Sequence, residues 1–344
     1  MKLKQSLVLA LALSVLSLSA WELYWRNQGR TPHLDDNKDL WSVQRAKVDQ
    51  LTEKDVILTG SSRVLYDIQL DEWEQEYGLR PLQLASAGAS PLPIVHDIVN
   101  NTNFKGTILV GVTPPLFFST TFPEAEPWKR AQNRVDHFYK RTYAQRLNHY
   151  LSIPLDKNMA LISASEEKWS DDIDLKTLLN NIKIGDRFVD PMPPFYQFDN
   201  MATDRNVEMT ERTVTDTAFA NTIKRVWEFF GKGAPPPDKE STTIFFVEDA
   251  KRFIKRGGKI ILLRCPSTGG FRFGESMGMP RAEYWDELVK KTGVPSYHFE
   301  DYDQFKNLDC PEWSHLSAKD ARFFTTELVK ILKKDGVLSN AKTE

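Results

Sequence analysis

The chain has 344 residues, 41% hydrophobic and 27% charged, which is long enough for one large domain or two modest ones with a sizeable core. This composition argues against wholesale disorder. The 45 basic and 47 acidic residues nearly cancel, and no basic stripe with interleaved aromatics occurs, so nucleic acid is set aside as a partner.

Residues 1–26 predict a signal anchor or a signal peptide. Lys2 and Lys4 precede an uncharged, mostly apolar stretch of about 17 residues, the lower limit for a membrane-spanning helix. An aromatic belt of the kind found at membrane interfaces follows: Trp21, Tyr24 and Trp25. We expect an uncleaved anchor with the bulk of the chain outside the cytoplasm; a cleaved signal peptide, or an ordinary buried helix, is the alternative.

Residues 27–50 are polar and predict a linker or stalk plus a helix leading into the domain. Short β-branched runs then alternate with helical patterns, which predicts a three-layer α/β/α fold with a parallel, flavodoxin-like sheet of about five strands. The domain covers 51–335, and 336–344 form a tail. The predicted strands are 55–59, 81–85, 107–112, 259–264 and 295–299. The predicted helices are 70–77, 91–100, 242–256, 280–291 and 317–334.

The alternation is interrupted at about 116–240 by a region rich in aromatic and charged residues. Helical stretches are predicted near 126–151, 175–182 and 210–230. We interpret the region as a mostly helical insertion over the core, where long insertions often shape substrate access. The alternative is that its aromatic residues simply pack a helical subdomain.

Ligands of parallel α/β sheets bind at the carboxyl ends of the strands. Five segments of this chain follow predicted strand ends, namely those around Ser62, Gly88, Thr113, Arg264 and His315. The order of the elements alone therefore predicts that these segments share one edge of the sheet.

Two of these segments carry the parts of a nucleophilic site. Segment 60–63 (Gly-Ser-Ser-Arg) places Ser62 at a strand-to-helix turn, and segment 312–315 (Glu-Trp-Ser-His) supplies His315 with Glu312 three residues before it. A hydroxyl becomes a useful nucleophile when an oriented base takes its proton. The pattern favours a serine hydrolase or acyltransferase. The alternatives are that Ser62 is a plain helix N-cap and that His315 only bonds to backbone.

Three further residues are candidates for substrate binding. Arg63 and Arg264 can bind an anionic group at the cleft or, equally, form ion pairs with the insertion. Trp313, beside the histidine, lines a substrate pocket or belongs to the core.

The two cysteines, Cys265 and Cys310, both follow predicted strands. An exported chain permits a disulfide between them; two small buried hydrophobes are the alternative. Two distant cysteines and six histidines without ligand spacing give no metal signal, so we predict neither a metal nor another cofactor.

With these motifs, the chain resembles the SGNH (GDSL-like) hydrolase superfamily over about 52–332, the insertion excluded. It looks closest to the exported, membrane-anchored branch with alginate O-acetylation proteins and the D-alanyl-transfer protein of teichoic acid synthesis. The first block matches 60–62, which implies that Ser62 is the nucleophile and that its amide donates to the oxyanion. The second block matches Gly88, whose amide is implied as the second donor.

Two blocks depart from the family pattern. Gly-Val-Thr at 111–113 replaces Gly-x-Asn, so Thr113 would be the third oxyanion donor in place of an asparagine. Glu312 replaces the aspartate of Asp-x-x-His before His315, with Asp309 as the fallback partner.

The resemblance implies an extracytoplasmic serine esterase or O-acyltransferase that uses a Ser-His-Glu triad and an acyl-enzyme. Its expected substrate is an acylated envelope glycan or a small ester, with a membrane acyltransferase as a potential partner. The alternative is a non-catalytic binding or assembly component of an envelope polysaccharide system.

Overall fold

Five parallel strands form the central sheet in the computed structural model, which describes residues 3–122, 125–163, 192–232 and 236–338. The strands in chain order are β1 (Val56–Thr59), β2 (Leu82–Gln83), β3 (Thr107–Gly111), β4 (Asp199–Met201), β5 (Val207–Met209), β6 (Lys259–Arg264) and β7 (Ser296–His298). The sheet has the order β2-β1-β3-β6-β7, and β4 and β5 form a separate antiparallel hairpin. The order of the five parallel strands is the flavodoxin-like one, which confirms the predicted fold class.

Helices cover both faces of the sheet. In chain order the first nine are α1 (Leu3–Asn27), α2 (Lys38–Arg45), α3 (Ser62–Asp67), α4 (Leu70–Tyr77), α5 (Leu92–Asn101), α6 (Pro114–Phe117), α7 (Glu126–Lys140), α8 (Tyr143–Asp156) and α9 (Ala160–Ser163). The others among the described residues are α10 (Glu211–Thr215), α11 (Thr217–Lys232), α12 (Lys239–Lys255), α13 (Gly269–Gly278), α14 (Arg281–Thr292) and α15 (Ala318–Lys334).

Alternate strand residues point to opposite faces, so the sheet supports two apolar cores. Leu58 and Leu109 pack with α3, α4 and α15 on one face. Ile57 and Ile108 pack with α5, α12 and α14 on the other. Since every residue of β1 and β3 is buried, these strands read in the sequence as continuous apolar runs rather than alternating ones.

Two glycines let α3 approach the sheet closely at the edge where β1 and β3 end. A Cβ on Gly111 would lie 2.1 Å from Val64 Cγ2, and a Cβ on Gly60, whose φ is +151°, would lie 2.7 Å from the same atom. The start of α3 therefore rests directly on the sheet.

The variant Gly111→Ala is expected to lower the free energy of unfolding by about 1–3 kcal/mol, because the added methyl group overpacks Val64. Gly274→Ala in the interior of α13 is the matched control, since its Cβ meets nothing within 4 Å. The control is expected to stabilise by roughly 0.5–1 kcal/mol. Urea denaturation of both variants checks the pair, and equal effects would contradict the close approach of α3.

The insertion differs from its prediction in two ways, and a third prediction within it is not tested. The helix expected over 126–151 is two helices, α7 and α8, because the capping box of Thr142 with Gln145 starts a new helix. The β4–β5 hairpin was not predicted. The helix expected at 175–182 lies outside the described residues. Outside the insertion, α13 (from Gly269) lies between 264 and 280, where no helix is predicted.

The segment from 27 to 50 packs on the domain rather than standing free of it. Trp41 on α2 is fully buried, and its indole N–H donates to the Leu84 carbonyl at 3.0 Å. Asp36 accepts two hydrogen bonds from the buried Arg205, at 2.8 and 2.9 Å. Before this segment, the 25-residue helix α1 contains an apolar stretch long enough to cross a membrane, and none of its residues is buried in the protein.

Candidate active site

Ser62 begins α3 immediately after the turn that follows β1. Ser61, not Ser62, is the N-cap: its Oγ accepts from the Arg63 amide at 3.4 Å. Every other residue of α3 is buried, whereas Ser62 is partly exposed. The helix therefore leaves Ser62 partly exposed. The N-cap role that was the alternative for Ser62 is filled by Ser61.

His315 is oriented by Glu312. The Glu312 Oε1 atom lies 3.0 Å from His315 Nδ1 and accepts from the His315 amide at 2.6 Å. Its other oxygen accepts from the indole N–H of Trp227, on α11 of the insertion. Burial alone would raise the pKa of Glu312, but His315 and the hydrogen bonds from Trp227 and the His315 amide hold the pKa below its usual value. A carboxylate at Nδ1 places the proton there and leaves Nε2 as the basic nitrogen. The fallback partner Asp309 is exposed.

The imidazole of His315 lies in an aromatic box. Tyr66 stacks on it at 4.3 Å between ring centroids, and the rings of Phe198 and Trp227 lie at 6.0 and 6.1 Å. The residue is only 1% exposed. Within the part of the chain that the structure describes, its Nε2 atom has no hydrogen-bond partner, which is rare for a buried polar atom.

The segment that carries His315 runs along α3. Near the start of α3, Arg63 Nε donates to Ser314 Oγ at 3.4 Å; at its end, Asp67 Oδ1 accepts from the Leu316 amide at 2.9 Å. Tyr66 follows Ser62 by four residues, so the two share a face of the helix. The imidazole therefore stacks on a side chain one helical turn after Ser62, and no hydrogen bond joins Ser62 Oγ to Nε2.

The other two predicted oxyanion donors flank this turn. Gly88 adopts φ +61° in a turn after β2, and the Ser86 amide before it donates to the Gly60 carbonyl at 2.9 Å. Thr113 Oγ1 is 2.7 Å from Ser61 Oγ. The Thr113 hydroxyl is thus already engaged with the N-cap serine.

Arg63 and Arg264 are both buried and both paired with Glu275 on α13. The Arg63 Nη2 atom lies 2.7 Å from Glu275 Oε1, and Arg264 contacts the other carboxylate oxygen. Burial alone would raise the pKa of Glu275, but Arg264 and Arg63 hold it below its usual value. Both arginines form ion pairs, which was one of the two predictions, but with Glu275 on α13 rather than with the insertion. Their guanidinium groups, which the other prediction assigned to an anionic substrate group, are therefore already paired.

Trp313 packs on the start of α13. A Cβ on Gly269 would lie 2.2 Å from its ring, and Lys224 Nζ lies 5.4 Å from the ring centroid. Trp313 is partly exposed and has φ +80°, in the left-handed region, where a bulky residue is uncommon. Trp313 therefore links segment 312–315 to α13 and to α11.

Cys265 and Cys310 are free thiols, so the predicted disulfide is not formed. Burial, with the nearby Asp67 carboxyl as a further cause, raises the pKa of both thiols well above the usual value. A disulfide forms through the thiolate, which this environment disfavours. The alternative prediction is confirmed: both cysteines are small, buried side chains without a disulfide.

We expect both thiols to resist a thiol-reactive disulfide reagent in the folded protein and to react fully in guanidinium chloride. Release of the reagent's chromophore, compared with and without denaturant, measures this. A fully denatured, unreduced sample with no reactive thiol would contradict the free cysteines.

Sequence reasoning missed three residues of this region: Tyr66, Trp227 and Glu275. Each reaches the site from a position that no short motif marks, and Trp227 is 85 residues from the carboxylate it contacts. The three have in common only that each is a polar or aromatic residue, and it is the folding of the chain that brings them to the strand ends. Among the described residues, no group of three or more His, Cys, Asp or Glu side chains is arranged to hold a metal ion. Searches against protein-family models and against curated proteins found no match to this chain.

Proposed function

We propose that the chain is a serine esterase or O-acyltransferase in which Ser62 is the nucleophile, His315 the base and Glu312 the residue that orients it. One observation carries the proposal. A glutamate holds Nδ1 of a buried histidine, whose opposite nitrogen is left unpartnered, and the ring stacks on Tyr66, one helical turn after the partly exposed Ser62.

The proposed reaction has two halves. His315 Nε2 takes the proton of Ser62 Oγ as that oxygen attacks an ester carbonyl, and the amides of Ser62 and Gly88 donate to the oxyanion. The imidazolium then protonates the leaving alcohol, and an acyl-serine remains. Water or a sugar hydroxyl attacks this ester with His315 as the base again, which releases the acid or the acylated sugar and restores the serine. Thr113 supports Ser61 in this scheme rather than donating itself.

Substrate access requires movement of the insertion, since Phe198 and Trp227 cover the imidazole. The resemblance to SGNH proteins favours an acylated envelope glycan as the substrate. The apolar α1 helix supports a membrane anchor. The resemblance places the domain on the outer side of that membrane, where such glycans and a membrane acyltransferase partner occur.

A fluorophosphonate probe tests the nucleophile in the full chain. We expect labelling on the peptide that contains Ser62, loss of labelling in Ser62→Ala, and labelling retained in the adjacent control Ser61→Ala. Turnover of a small acetyl ester with and without an acceptor glycan then separates the two activities. A transferase gives acylated glycan, and an esterase gives acetate alone.

A second candidate, a non-catalytic binding or assembly component, is favoured by the near-complete burial of His315. In that case the Glu312–His315 pair only braces the segment against α3. Folded wild-type protein that resists the probe even at high concentration would favour this second function over the first.

A further inference from the structure

The outward face of α8 is apolar, the reverse of an ordinary surface helix. The helix turns His149, Ser152, Ile153 and Asp156 toward the protein. The large side chains on the opposite side are exposed: Tyr143, Leu147, Tyr150, Leu151 and Leu155. Their spacing places them on one face, and Leu147 and Leu151 are 61% and 62% exposed. Exposed apolar patches of this kind mark interaction surfaces.

The C-terminal end of this apolar face lies beside the point where α1 would leave a membrane. Arg26 donates to the Asn158 carbonyl at 3.0 Å, directly after α8, and Glu22 accepts from the amides of Ala160 and Leu161 at 2.9 and 2.8 Å. Glu22 is the first charged residue after the apolar stretch of α1. The C-terminal end of α8 is thus tied to the end of the segment that is long enough to span a bilayer.

Charge around this face matches a membrane surface. No acidic residue occurs from Tyr143 to Leu155, whereas Arg141, Arg146 and Lys157 flank the apolar side chains. The Arg146 guanidinium carbon lies 5.6 Å from the Tyr143 ring centroid. Helices with an apolar face bordered by basic residues lie in the interface of bilayers that contain anionic lipids.

We propose that α8 lies in the headgroup region of the same bilayer that α1 spans and holds the α/β domain against anionic lipid. This proposal rests on the retained anchor described above, not on the catalytic assignment.

Spin labels on the full chain test the proposal in vesicles of phosphatidylethanolamine with phosphatidylglycerol. Leu147→Cys and Leu151→Cys report on α8, Leu13→Cys reports on α1, and Lys330→Cys on the exposed side of α15 is the aqueous control. Cys265 and Cys310 are buried and should not take the label. We expect the ratio of oxygen to water-soluble nickel collisions at 147 and 151 to exceed that at 330 and to fall when neutral phosphatidylcholine replaces the anionic lipid.

Each other outcome overturns the proposal in a distinct way. A nickel accessibility at 147 and 151 equal to that at 330 would leave α8 in water. Low accessibility to both reagents would assign the face to a protein, a second copy or a membrane partner. A water-exposed label at 13 would remove the anchor itself and leave the probe-labelling test of Ser62 untouched.

Discussion

Replacing His315 by glutamine is expected to lower kcat/KM for a small acetyl ester by about 10⁴- to 10⁶-fold, the range found when a member of a serine triad is removed. The imidazole is the only group in the proposed scheme that accepts the Ser62 proton, and the amide of glutamine is not basic. Glu312→Gln is expected to cost less, because it leaves the base present but removes the carboxylate that fixes its Nδ1 proton.

The sharper test is non-additivity. If Ser62 and His315 act as one unit, Ser62→Ala, His315→Gln and the double variant should all fall to the same residual rate. Ser61→Ala is the control, since Ser61 contacts Thr113 and the Arg63 amide but has no part in proton transfer. Losses that multiply in the double variant would show that the two residues act separately and would contradict the proposed triad.

The parallel sheet was predictable because its signal is local. Runs such as 107–112 are almost entirely apolar, which is typical of strands covered on both faces, and glycine or proline marks where they end. Helix α4 was predicted with its observed bounds, Leu70–Tyr77, because Gly78 takes the left-handed C-cap conformation. The pattern predicts a single helix for α7 and α8 because both have apolar residues at helical spacing, whereas the capping box at Thr142 separates them.

The candidate site was predictable to the level of which strand ends meet, but not to the level of which polar groups pair. The three-residue spacing of Glu312 and His315 let the sequence anticipate their contact. No sequence pattern could assign Glu275 to Arg63 and Arg264, because no helix is predicted between 264 and 280 and the pairing depends on the orientation of α13. The same limit applies to Trp227, whose role follows from where the insertion folds back.

Removing the Glu275 carboxylate is expected to be the most destabilising single charge change in this region. Glu275→Gln leaves the buried guanidinium groups of Arg63 and Arg264 without their shared counterion, and loss of one partner from a buried ion pair typically costs about 3–5 kcal/mol. The matched control is Glu327→Gln, which breaks the exposed pair with Lys330 and should cost less than about 1 kcal/mol.

The pH dependence of this effect has a defined sign. The pKa of Glu275 is lower in the folded protein than its usual value, so its contribution to stability is present above the unfolded pKa and is lost as the pH falls through the folded pKa. The gap in unfolding free energy between wild type and Glu275→Gln should therefore be largest near neutral pH and shrink below about pH 4. Urea denaturation in detergent at several pH values measures the gap. A gap that stays constant with pH would mean that the glutamine variant loses packing rather than charge.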